Sequence, residues 1–478
     1  KGPCGWAPVA QPQRRMGGES FPPLPLPATP LRRTEKKRPP SPPVLVAKIQ
    51  FGDVKEVDHD GQKVRYYDWN KDPGDVDNLL NIGNRALSVR YTKKQGPLDA
   101  FTPDPTQFPV YYYTGSDDFT FSDAEVARLR DFLQSGGTVW GDTCFGDPDF
   151  FKAFTREFSR VLPGHDWHPL TGDHPLFHCY YQIDQVSYTL PNPDAPSGKG
   201  RPVFYAMDLG DRTAVILGRY DVSCGWDGHI REGAYSVEPN DARRLGVNMM
   251  VYSLGVHELA RYQSTAKVYY EETERARGDF VFAQAKIVGN WDTEPNAIAN
   301  LLKLVAANTS AEVKFQRRAV DLVSGELQQY PFLYVTAREN FVLGDAQVQA
   351  LRRYLTSGGF LLASPSSGMR EFDAAFRREM ARVLPDRPLQ PLPADHPVYS
   401  ILHRIQSVTY DDYVASLSET PPPLPLEGID IGGTTAVIYS AYGLGGGWRG
   451  FDNPFGRDIA SADAEKLGVN ILLYAMTH

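Results

Sequence analysis

Apolar runs of strand length alternate with helical spacings along most of this chain, and they do so twice. Residues 44–51 form an apolar run that predicts a strand, followed by a helix over 75–87 and a short strand over 88–91. The run at 109–113 predicts a second buried strand, leading to an amphipathic helix over 122–134, then Ser135-Gly136-Gly137 and a strand over 138–141. A helix over 148–161, strands near 185–189, 203–208 and 213–219, and a closing helix over 240–254 that begins near Asp241 complete the series. The same succession returns at 281–288, 295–307, 311–315, 331–335, 344–356, 360–363 and 370–383, with a closing helix at 462–476 that begins near Asp463. Strands alternating with helices of this length imply a doubly wound, mostly parallel sheet. The expected class is α/β, with two tandem domains, as 478 residues exceed what one core usually supports.

The two series are a duplication. At an offset of 222 residues Thr114 falls on Thr336, Phe119 on Phe341, and Asp123-Ala124 on Asp345-Ala346. Ser135-Gly136-Gly137 falls on Ser357-Gly358-Gly359, and Val161-Leu162-Pro163 on Val383-Leu384-Pro385. Asp173-His174-Pro175 matches Asp395-His396-Pro397, Thr213-Ala214-Val215-Ile216 matches Thr435-Ala436-Val437-Ile438, and Gly225-Trp226 matches Gly447-Trp448. Leu245-Gly246-Val247-Asn248 matches Leu467-Gly468-Val469-Asn470. At the front the register changes: Lys48-Ile49 pairs with Lys286-Ile287 at an offset of 238, which implies about sixteen extra residues in copy one. They fall at 53–68, where Asp60-Gly61 between alternating segments predicts a protruding hairpin. The expected organisation is an arm (1–44), a first domain (45–255), a connector (256–280) and a diverged second domain (281–478).

The arm changes the picture of partners. It holds twelve prolines and a net charge of +6, against −8 for the whole chain, so the body carries −14. Proline removes backbone donors and favours extended polyproline II, so the arm has no core of its own. A basic arm on an acidic body suits a neighbouring protein surface, whereas nucleic acid would be repelled by the body. Other protein subunits are therefore expected on residues 1–44 and on the hairpin at 53–68, with a homo-oligomer as one such arrangement. No run of eighteen apolar residues occurs, so no membrane-spanning helix is expected. The chain starts at Lys1 with neither Met nor an apolar leader, which leads to the expectation of a trimmed, mature product.

The succession of strand, amphipathic helix, Ser-Gly-Gly, strand, helix ending in Val-Leu-Pro and then Asp-His-Pro resembles the bacterial domain of unknown function 4159. That family is grouped with class I glutamine amidotransferase-like, flavodoxin-like folds, and the resemblance covers most of 45–255 and again 281–478. It implies the fold and no reaction. Members often accompany extracytoplasmic or membrane-associated assemblies, which implies a periplasmic or envelope setting.

In such sheets ligands sit beyond the carboxyl ends of the strands. Copy one places Thr114, Ser116, Asp117, Asp142, Thr143, Cys144 and Cys224 there, whereas copy two has Thr336, Arg338, Glu339, Ser364, Pro365, Ser366 and Gly446. Cys144 with Phe145-Gly146 resembles the Cys-x-Gly nucleophile turn of the amidotransferases. Those enzymes add a late His-x-Glu, and the nearest approach here is His229 with Glu232, one residue too far apart. Cys144 and Cys224 both end strands of one copy and are also candidates for a disulfide. Thr114, Asp117, Asp142, Thr143 and Trp226 are candidates for ligand contact, although Gly-Trp in both copies suits a packing role.

The histidines 165, 168, 174 and 178 are dense enough to suggest zinc, yet their spacing matches no standard site. Asp-His-Pro occurs in both copies and suggests a structural turn in which the Asp holds backbone amides. No cofactor is expected. The leading expectation is a non-enzymatic scaffold or interaction subunit built from two degenerate amidotransferase-like domains and tethered by its arm. The alternatives are a Cys144-dependent hydrolase or amidotransferase active only in copy one, and a module for a small ligand or carbohydrate.

Overall fold

The computed structural model describes residues 41–59, 62–264, 280–313 and 317–478, so the expected arm up to residue 40 and most of the connector lie outside the described residues. Copy one begins with β1 (Val44–Gln50), the hairpin strands β2 (Lys55–His59) and β3 (Gln62–Tyr66), α1 (Asp75–Leu87) and β4 (Thr92–Pro97). It continues with β5 (Val110–Gly115), α2 (Asp123–Gln134), β6 (Thr138–Thr143), α3 (Pro148–Val161), β7 (His168–Pro169), β8 (Val186–Ser187) and β9 (Lys199–Gly200). It ends with β10 (Phe204–Leu209), β11 (Arg212–Gly218), α4 (Ser223–Asp227) and α5 (Pro239–Ser264).

Copy two contains β12 (Ala283–Lys286), α6 (Pro295–Asn308), β13 (Arg318–Asp321), β14 (Phe332–Val335), α7 (Asp345–Thr356), β15 (Phe360–Ala363), α8 (Arg370–Val383) and β16 (Gln390–Pro391). It closes with α9 (Asp412–Ser416), β17 (Leu426–Ile431), β18 (Thr434–Ser440), α10 (Gly445–Trp448) and α11 (Ser461–Thr477).

Each copy folds around one seven-stranded sheet, in the order β4-β1-β5-β6-β11-β10-β7 and, identically, β13-β12-β14-β15-β18-β17-β16. All neighbouring pairs are parallel except those made by β10 and β17. An apolar core lies on each face of both sheets. From β1 the chain moves first to one side (β4) and then to the other (β5), so the strand order reverses between β1 and β5, where such sheets open a crevice.

Several boundaries move. The strands after α1 and α6 are β4 and β13, later than the 88–91 and 311–315 expected, because the turns after α1 and α6 are longer than the apolar spacing suggested. Lys48 pairs with Tyr112 and Gln284 with Tyr334, so the equivalent of Lys48 is Gln284, 236 positions on, and not Lys286. Against the 222 offset the insertion in copy one is therefore fourteen residues rather than sixteen. It forms the expected hairpin, with Val57 opposite Val64, while its tip at 60–61 lies outside the described residues. The closing helix α5 continues to Ser264, taking residues first assigned to the connector, because Val256, Leu259 and Ala260 are still buried.

The repeated motifs are explained by packing. A side chain at Gly246 or Gly468 would strike the indole of Trp226 or Trp448, so the closing helix can lie on that indole only through glycine. Each indole donates to a carbonyl of the closing helix, Ala242 or Ala464. Asn248 donates to Leu176 O and Tyr181 O and accepts from Tyr181 N, and Asn470 does the same for Val398 and His403. Asn248→Ala and Asn470→Ala should each lower the unfolding free energy by roughly 1–3 kcal/mol for each buried group left unpaired, read from urea denaturation. Unchanged stability in both variants would contradict this assignment.

Candidate functional site

The strand-end crevice of copy one is built by three loops. Asp72 comes from the loop before α1, Cys144 directly follows β6, Asp221 lies in the link between β11 and α4, and Cys224 in the first turn of α4; all four are at most 3% exposed. Asp142 accepts from Val222 N at 2.9 Å and Ser223 N at 3.3 Å, fastening the β11–α4 link to the end of β6. Asp221 accepts from Cys224 N at 2.9 Å and Phe145 N at 2.7 Å. Phe145 has a left-handed backbone (φ 64°), uncommon for a bulky residue, and the bond from its amide to Asp221 helps hold that turn. Asp72 Oδ2 lies 3.1 Å from Cys224 Sγ and 3.9 Å from Cys144 Sγ. One atom each from Asp72, Cys144, Asp221 and Cys224 lies within 4.8 Å of the other three.

The electrostatics oppose an activated nucleophile. A hydrogen bond with Cys224 pulls the Cys144 thiol down, but burial and the charges of Asp221, Asp72 and Asp142 outweigh it and push the thiol up to about 11. The bond with Cys144, burial and Asp221 push Cys224 far above the usual thiol range. Burial, with the charge of Asp221, likewise raises Asp142. His229 and Glu232 are both exposed, and His229 lies beside Asp72 and Asp227 at the rim. Besides Cys224, the group recorded on the Cys144 thiol among the described residues is the Asp72 carboxylate, 3.9 Å away, and not a histidine. Cys144 and Cys224 are free thiols with their sulfurs within 4.8 Å, so the expected pair is adjacent but not bonded.

Of the other candidates, Thr114 is buried at the end of β5, and Thr143 donates to Gly218 O at 2.6 Å. Trp226 is a core residue, 1% exposed, and not a ligand platform. Asp117 binds Lys55 of the hairpin; against the cost of partial burial, Lys55 and Lys71 hold its carboxyl below the usual range.

The four histidines do not converge. His174 receives Leu176 N on Nδ1 and pairs Nε2 with Thr213, and burial lowers it to about 3, so it is neutral with both nitrogens occupied. His396 repeats both bonds, so the His of Asp-His-Pro holds the turn, while Asp173 pairs with Arg370 instead. His178 bonds Gln182 and Gly172 O, and His165 lines a separate small cavity. His168 faces Asp208 and Glu339; burial would lower it, but those two carboxylates raise it to about 9.

Copy two's crevice is filled by copy one. The β10–β11 turn, at the amino end of copy one's parallel strands, enters the carboxyl end of copy two's sheet. There Asp208 pairs with Arg338 at 2.9 Å, and Arg338 also binds Asp211 O. Asp211 binds Arg449, Gln263 of α5 and, at 2.8 Å, Ser367. Tyr252 stacks on Phe455, and Tyr262 donates to Arg449 O at 2.7 Å. Arg449 stands 3.6 Å from both Glu294 and Asp458. Glu294 is the equivalent of Asp72; burial raises it to about 7 while Arg449 pulls it down. A side chain at Gly443 or Gly446, the equivalents of Asp221 and Cys224, would run into the Asp458 carboxylate, so Asp458 occupies their place.

Asp72, Asp221, Asp211 and Arg449 were not singled out from the sequence. The signal available was an acid kept at offset 222 (Asp72 and Glu294) and the Asp-x-x-Cys spacing of Asp221 and Cys224.

The architecture is that of tandem doubly wound α/β domains, the first with a thiol and carboxylate crevice and the second with its crevice used as a joint. The family profile of DUF4159, a domain of unknown function, matches residues 56–254 and again 281–476, and the chain belongs to that family. A search of the curated proteins finds no match.

Asp208→Ala takes its carboxylate partner from buried Arg338, leaving it the Asp211 carbonyl, and breaking such a pair typically costs about 3–5 kcal/mol. Chemical denaturation should show that loss in Asp208→Ala and recover most of it in the double variant Asp208→Ala/Arg338→Met. An additive double variant would contradict the pairing.

Proposed function

We propose that the chain is a non-enzymatic scaffold or interaction subunit, in which the amidotransferase-like crevice serves protein contact rather than turnover. The observation that carries this reading is the filling of copy two's crevice by the β10–β11 turn of copy one through Arg338 and Arg449. The crevice of copy one adds support, since its thiols are pushed up and both His229 and Glu232 are exposed. The hairpin offers a surface for a further subunit: Val57 and Val64 pair across it and remain 48% and 47% exposed. Residues 1–44 are the second proposed attachment.

A small polar ligand between the copies is the second reading. It is favoured by a cleft of about 960 Å³ whose lining includes Arg201, Arg370, Arg457, Asp173 and Glu371.

Two variants of the full chain test the scaffold. Val57→Asp/Val64→Asp should keep the melting temperature and lose the subunits that co-purify with the unaltered chain. Cys144→Ala should leave amide and ester hydrolysis at the same background level. Turnover that depends on Cys144, or a hairpin variant with an unchanged set of partners, would contradict the proposal.

A further inference from the structure

The two crevices differ in charge. In copy two the acids at the strand ends surround a built-in cation, because Arg449 touches Asp211 and stands 3.6 Å from Glu294 and Asp458. The position equivalent to Arg449 in copy one is Asp227, so copy one has lost the cation and gained another acid. It has kept the acid equivalent to Glu294 (Asp72) and placed Asp221, Cys144 and Cys224 around it. Among the described residues Arg231, a half-exposed side chain, stands 3.5 Å from Asp72 Oδ1, and buried Lys48, paired with Asp75, donates to the Asp72 backbone carbonyl at 2.9 Å.

We propose that copy one binds a divalent zinc ion through Cys144 Sγ, Cys224 Sγ and one carboxylate oxygen each of Asp72 and Asp221. Zinc takes thiolate sulfur at about 2.3 Å and carboxylate oxygen at about 2.0–2.2 Å, so tetrahedral ligands stand about 3.3–3.8 Å apart. The four atoms here lie within 4.8 Å of one another, with Asp72 Oδ2 at 3.1 and 3.9 Å from the two sulfurs. Two sulfur ligands favour zinc over magnesium or calcium, and two carboxylates disfavour copper(I).

The surrounding bonds fix the ligands. Asp221 is oriented by the amides of Phe145 and Cys224, and the β11–α4 link is fastened to β6 by Asp142. His229 and Asp227, grouped with Asp72 at the rim, supply an entry path. Binding releases the two thiol protons to solvent, leaving thiolates on the metal. Four protein ligands close the coordination sphere, so the ion is structural and fastens the three loops of copy one as Arg449 fastens those of copy two. The site does not depend on the scaffold role.

The test uses the full chain with a tag free of histidine, purified without chelator under reducing conditions. Elemental analysis should find about one zinc per chain. After metal removal, cobalt(II) should give the intense visible absorption of a tetrahedral thiolate site, and added zinc should abolish it. Cys144→Ser/Cys224→Ser and Asp72→Asn should both lose the cobalt spectrum while far-UV circular dichroism reports their fold. Should either variant fail to fold, the cobalt titration of the unaltered chain decides by itself. Several results would overturn the proposal: no binding of zinc or cobalt by the reduced chain, a cobalt spectrum without thiolate character, or binding that survives Cys144→Ser/Cys224→Ser. A chain isolated with Cys144 and Cys224 disulfide-bonded that binds no metal after reduction would also overturn it.

Discussion

The buried ion pairs of Asp208 with Arg338 and of Asp211 with Arg449 govern how the two halves of this molecule differ. Two carboxylates of one β-hairpin enter the strand-end crevice of the next domain, and neither could be buried there without a guanidinium waiting. Burial opposes ionisation of both, yet the arginines hold Asp208 and Asp211 below the usual carboxylate range. Once the joint exists, copy two has no free crevice, and Gly443 and Gly446 are required so that Asp458 can fit beside Arg449. The joint is also directional. Copy two keeps Asp430 at the position of Asp208 but carries Gly433 at that of Asp211, so its own turn lacks the acid that would repeat the bond to Arg449 on a further domain.

Duplication turns the molecule into its own control. What both copies keep is the frame: the Asn of the closing helix that holds the backbone after Asp-His-Pro, the indole under its glycine, and the histidine that receives an amide after Asp-His-Pro. What differs is charge at the strand ends. Copy two resolves it with arginine and with protein, whereas copy one leaves carboxylates and thiols together under little exposure. The same backbone turn survives in both, since Phe145 and Ser367 share a left-handed conformation.

Much of the fold was legible because it rests on local periodicity and repetition. Strand and helix order, the crevice at strand ends and the hairpin all follow from patterns within short windows of sequence. The front register was misplaced by two residues because Lys48-Ile49 and Lys286-Ile287 look alike, while strand pairing sets Lys48 beside Tyr112 and Gln284 beside the equivalent Tyr334. The site was half legible. Cys144, Cys224 and Asp142 could be placed by strand ends, but Asp72 sits in a loop with no periodicity, and its neighbours come from residues 72 and 152 positions away. The histidine cluster misled for the converse reason, since closeness in sequence does not bring side chains to one point.

Hydrogen exchange measures the joint most directly. Amides of copy two's strand-end loops, around Ser364–Gly368 and Gly443–Trp448, should be protected in the unaltered chain. They should exchange faster in Asp211→Asn, while the equivalent loops around Asp142–Gly146 and Asp221–Trp226 of copy one stay as they were. Equal protection of copy two's loops in both proteins would contradict the account.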